Sequence, residues 1–109
     1  MFYKLPIKPL SLNAAYRGRR FDTPELKRFK KDMRKCLPNI QVPKGKIGIE
    51  FIFGVSTSRS DGDNLIKCAQ DAIANKYGFN DNVIFEWHIV KDVVRKGKEY
   101  ISFSIYSLE

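Results

Sequence analysis

Residues 46–55, KIGIEFIFGV, place a large apolar side chain at every second position: Ile47, Ile49, Phe51, Phe53 and Val55. A two-residue apolar period fits a strand with one buried face. A face made entirely of such residues must have another layer packed on it. Two segments with a helical period can supply that layer. In the first, Thr23 reads as an N-cap, Pro24 suits the first helical position and Glu25 favours the positive helix end. Leu26, Phe29, Met33, Cys36 and Leu37 then recur at three- and four-residue steps, and Pro38 ends the run. The second covers about 64–76, with Leu65, Cys68 or Ala69, Ala72 and Ile73 on one side and Gly78 as its stop.

The remaining segments complete a sheet. Residues 2–7 read as a short first strand ended by Pro6 and Pro9, and residues 11–22 as a polar, basic loop. Val83, Phe85, Trp87 and Ile89 alternate within 83–94, which makes Trp87 a core residue. A turn at 95–98 leads into 99–106, where Ile101, Phe103 and Ile105 alternate with Tyr100, Ser102, Ser104 and Tyr106. These last two strands read as an antiparallel hairpin. The expected fold is a single α+β domain over residues 1–109, in the order β-loop-α-β-α-β-β. Its mixed sheet carries two helices and ends in the C-terminal hairpin.

At 109 residues the chain has length for one core. No apolar run approaches the roughly 18–20 residues of a membrane span, and MFYKLPIKPL lacks the continuous apolar stretch of a secretory signal. Cys36 and Cys68 fit neither a metal spacing nor a disulfide framework. The expectation is a cytoplasmic protein with both thiols reduced, buried and inert.

The charge is lopsided. There are 20 Lys and Arg against 12 Asp and Glu, a net charge of +8. The window from Tyr16 to Lys46 carries that whole excess. It holds Arg17, Arg19, Arg20, Lys27, Arg28 and six further basic residues, against only Asp22, Glu25 and Asp32. Such a block is either a solvated face or the footprint of a polyanion, nucleic acid or an anionic membrane.

Chemistry concentrates in Ser58–Lys67, SRSDGDNLIK. Asp61 and Asp63, two apart between a strand and a helix, are expected on a non-helical stretch with both carboxylates pointing the same way. Gly62 permits a sharp bend there. Convergent carboxylates call for a cation, and hard oxygen donors suit Mg²⁺ or Mn²⁺. Asp-Gly and Asp-Asn are also ordinary turn and cap chemistry. A calcium-binding EF-hand loop starting at Asp61 would need Gly and Glu where Ile66 and Ala72 stand. Asp81 lies just before the third strand, and Lys67 follows Asp63 by one helical turn, within reach of Asp71 as an i,i+4 ion pair. Three carboxylates and a lysine make a plausible phosphoryl-transfer site.

The run Asp61-Gly-Asp63-Asn64-Leu65-Ile-Lys67-Cys-Ala-Gln-Asp71-Ala72, followed by Gly78-Phe79-Asn-Asp81, resembles the signature of RusA-type Holliday-junction resolvases. Pro9-Leu-Ser11-Leu-Asn13-x-x-Tyr16 is similar to the opening of that family, although Ile7-Lys8-Pro9 stands where the family often has Trp-Pro-Pro. The resemblance covers nearly the whole chain. It implies a homodimeric endonuclease that nicks two symmetry-related strands of a four-way DNA junction, with Asp61, Asp63 and Asp81 binding Mg²⁺ (Mn²⁺ being a possible substitute) and Lys67 assisting at the scissile phosphate. DNA contacts are then expected from Asn13, Tyr16, Arg17, Arg19, Arg20, Lys27 and Lys31, with no membrane partner. Glu50, Glu86 and His88 are expected on the sheet surface. Two other readings are a non-catalytic basic DNA-binding module and a metal nuclease without junction preference.

Overall fold

The structure, a computed structural model, describes residues 1–16, 22–59 and 61–109. Its elements are β1 (Tyr3–Leu5), α1 (Leu12–Tyr16), α2 (Pro24–Cys36), β2 (Ile47–Val55), α3 (Gly62–Tyr77), β3 (Ile84–Val93) and β4 (Tyr100–Ser107), with a 3₁₀ turn at Asp81–Val83. The alternating segment is β2, and it lies inside the sheet, whose strand order is β1-β4-β2-β3. Ile47, Ile49, Phe51 and Phe53 have no solvent exposure. Across the sheet Ile49, Phe51 and Phe53 register with Ile105, Phe103 and Ile101 of β4, which continues their apolar face. Leu26, Phe29 and Met33 of α2 and Leu65, Cys68, Ala69 and Ile73 of α3 are buried and belong to the same core. This is the expected α+β domain with a mixed sheet.

The ends of the helices follow from local chemistry. Thr23 is 4% exposed, and its Oγ1 accepts from the Leu26 amide at 3.3 Å as the α2 cap. The same hydroxyl lies 2.8 Å from the carbonyl oxygens of Ala14 and Ala15, so one side chain also ties α1 to α2. Gly78 ends α3 at φ 71°, a left-handed position glycine adopts without steric cost.

Four expectations are corrected. β3 and β4 run antiparallel around the 95–98 turn, but they are not hydrogen-bonded neighbours: β2 lies between them, parallel to β3 and antiparallel to β4. The reason is burial. Residues 101–104 of β4 are all buried, whereas β3 carries Glu86, His88, Lys91 and Asp92 and tolerates an edge position. Trp87 is consequently 45% exposed, not core, and its Nε1 donates to Gln70 Oε1 at 2.7 Å. Part of the stretch expected as loop forms α1, five residues long. Cys36, at the end of α2, is exposed, while Cys68 is buried as expected.

Among the described residues, the second face of the sheet carries no helix and is covered by tyrosine rings. Tyr106 lies over Gly48 and Tyr100 over Gly54, each where a Cβ would stand, so a side chain at either position would push the ring aside. The Tyr100 hydroxyl donates to Asp92 Oδ2 at 2.6 Å, and this hydrogen bond is the main cause of its pKa being pushed up to about 12. A raised pKa means the contact contributes fully below about pH 10, the ordinary tyrosine value, and is lost as pH climbs through 12. In an alkaline titration followed by tyrosinate absorbance, Tyr100 is expected to give a step near pH 12. Tyr100→Phe should remove that step, and Asp92→Asn should bring it down. A step near pH 12 unmoved by both variants would exclude the Tyr100–Asp92 bond.

Candidate functional site

The loop after β2 delivers the chain to α3, and α3 carries most of the candidate residues. The helix begins at Gly62, two residues earlier than expected, so Asp63 sits in its first turn and Asp61 is the N-cap. The two carboxylates therefore do not share one extended stretch, a correction with a packing cause. A Cβ on Gly62 would stand 3.3 Å from Ile89 Cγ2 and 3.9 Å from Lys91 Cγ; the bare glycine lets the first turn lie against β3. Asp61 makes no side-chain cap hydrogen bond, leaving its carboxylate unused by the helix. Both aspartates are exposed, and the helix N-terminus favours negative charge.

Lys67 lies one turn further along α3. Its Nζ donates to Asp71 Oδ1 at 3.0 Å and stands 3.9 Å from Asp81 Oδ2. The Asp71 hydrogen bond raises the Lys67 pKa and keeps the ammonium charged. The side chains of all three are about half exposed, at 50%, 42% and 48%, so these pairs are weak and easily rearranged by an incoming charge. Asp81 is held on its 3₁₀ turn, where Asn80 Oδ1 accepts from the Asn82 amide at 2.9 Å.

The structure thus joins Lys67, Asp71 and Asp81, with Asp63 about one turn and Asp61 nearly two turns before Lys67 along the helix. Among the described residues, no three His, Cys, Asp or Glu side chains stand close enough to hold one metal ion. Asp71 takes the ion-pair role expected of it. Sequence reasoning missed Lys91, which faces the helices in register with Phe53 and donates to the Ser58 carbonyl at 2.9 Å, fastening the loop before Asp61. The signal was present: a lysine occupies the next inward position after Trp87 and Ile89 in the β3 alternation.

Of the residues expected to touch DNA, Asn13 is exposed on α1 and Tyr16 is half-buried at its end. Lys27 and Lys31 are exposed one turn apart on α2, and neither has an ion-pair partner among the described residues. Arg17, Arg19 and Arg20 lie outside the described residues. His88 Nε2 is 3.4 Å from Glu86 Oε1 on the sheet face away from the helices, separate from the α3 cluster.

No family model matches the chain, and no curated protein matches it at a significant level. Among the described residues no helix is long and apolar enough to cross a membrane.

Proposed function

We propose that the chain is a metal-dependent endodeoxyribonuclease that resolves four-way DNA junctions by paired nicks, acting as a homodimer in the cytoplasm. The observation that carries this reading is the charge cluster of α3: Lys67 held between Asp71 and Asp81, about one turn from Asp63 and nearly two from the N-cap Asp61. The likeness of these positions to the RusA-type signature supports it, as does the basic outer face of α2.

The donors suit Mg²⁺ or Mn²⁺ in kind, being exposed carboxylates, one of them an N-cap that leaves its helix uncapped. Asp61, Asp63 and Asp81 do not stand within reach of one ion in this structure, and would hold it only once the Asp81 turn and the start of α3 draw together. Bound there, it would lower the pKa of a water and neutralise charge growing on the phosphate. Lys67 would supply an ammonium for the same developing charge once a phosphate oxygen replaces Asp71 as its acceptor. Asp71 holds that ammonium in place until then. A two-fold dimer presents two such sites to a junction that is itself nearly two-fold symmetric.

The test is cleavage of a synthetic four-way junction beside a linear duplex of the same sequence, in Mg²⁺ and in EDTA. Paired nicks on the junction alone, abolished by EDTA, are expected. Equal cutting of both substrates would remove junction preference and leave a metal nuclease. Binding without cutting would leave a basic DNA-binding module.

A further inference from the structure

Between α1, α2 and α3 runs a groove of about 370 Å³, large enough for one small organic group. Its apolar lining is Leu26, Cys68 and Ala72, and Tyr16 adds a half-buried aromatic ring. Lys30, Arg34 and Lys76 bring three cations to it, with the Asn75 amide beside them. Lys30 is partnered by Asp22 at 2.7 Å, whereas Arg34 and Lys76 have no acidic partner among the described residues. The groove also adjoins the candidate site: Asp71 lines it while accepting from Lys67.

An apolar slot with one aromatic wall, an amide and a cationic rim matches a single nucleotide in its parts. The base fills the slot against the ring, the amide meets its polar edge, and the rim takes the flanking phosphates. A base still paired within a duplex presents only its edges and cannot enter. We infer that this groove binds one unpaired nucleotide of a DNA strand, next to the strand at which Lys67 acts. The proposal rests on the nuclease reading and assigns that site a preference for locally unpaired DNA. Lys30 and Arg34 are one turn apart on α2 and border Lys27 and Lys31 at i,i+3 spacing, so the groove rim continues the basic face of that helix.

The probe is a fluorescein-labelled single-stranded thymidine oligonucleotide, titrated with the full chain in EDTA and followed by anisotropy across a salt series. Arg34→Glu with Lys76→Glu is expected to weaken binding at least about tenfold and to flatten the log–log salt slope by roughly 1.4, two contacts at about 0.7 each. Both residues are exposed, so folding is retained. Lys96→Glu with Lys98→Glu makes the same charge change on the β3–β4 turn and serves as the comparison. Tyr16→Leu, which keeps apolar bulk and removes the ring, should cost about tenfold by itself. An equal loss from both charge-reversal pairs would overturn the groove, reducing it to net charge. Full binding by Tyr16→Leu would overturn base insertion. No cutting occurs in this assay, so a wild-type chain that binds here yet never cleaves junctions loses the nuclease reading and retains the groove.

Discussion

Asp63→Asn is expected to slow junction cleavage by about 10²–10³-fold, the scale seen when one electrostatic partner of a developing charge is removed. The substitution keeps size and hydrogen-bonding capacity and deletes one negative charge in the first turn of α3, where the side chain is exposed. Its structural cost is confined to a lost helix-dipole interaction, about 0.3–1 kcal/mol. Activity and stability should therefore separate: cleavage collapses while the urea midpoint barely moves. DNA affinity in EDTA should rise slightly, because a carboxylate facing phosphates repels them. Cleavage within threefold of the wild-type rate would exclude Asp63 from the site. A parallel fall in stability would mean the residue holds the fold instead.

Phe51→Ala is expected to cost about 3–5 kcal/mol, the range for truncating a fully buried aromatic side chain. Phe51 has no exposure, stacks on Phe53 with ring centroids 5.0 Å apart and 15° between planes, and registers with Phe103 and Ile89 on the flanking strands. Neighbouring side chains are anchored by their own strands and cannot close over the gap, so a cavity remains. A domain stable by only 5–15 kcal/mol would lose a large fraction of its margin. Urea unfolding measures the effect. Phe85→Ala is the natural comparison, because Phe85 is 55% exposed at the β3 bulge and should change stability far less. A loss below about 1 kcal/mol at Phe51 would mean that β2 is not the buried centre of the sheet.

The contrast between Phe51 and Phe85 marks where reading the chain succeeds. Both belong to alternating apolar runs in the sequence, and alternation reports that a strand has two faces. It does not report whether the strand stands in the middle of a sheet or at its edge. β2, apolar without interruption on one face, had a single compatible position. β3 breaks its apolar series at Lys91, and that interruption is what an edge strand tolerates.

The candidate site divides in the same way. The i,i+4 spacing of Lys67 and Asp71 on a helix determines their contact, and the structure places it at 3.0 Å. That Asp81 joins them at 3.9 Å depends on how the 3₁₀ turn after α3 returns toward the helix. The groove was illegible for a related reason. Tyr16, Arg34 and Lys76 come from three helices, and no periodicity along one segment can relate them.

The sequence by itself determined the order of the four strands and the two long helices, the buried face of β2, the capping of α2 by Thr23 and the ending of α3 at Gly78, because each follows from interactions within a few residues. Tertiary structure alone decided that β2 separates β3 from β4, that Trp87 stays half exposed beside α3, and that α3 starts at Gly62 so as to rest on Ile89. These are choices between packings that local chemistry permits equally, and they are settled by how much apolar surface each leaves in water.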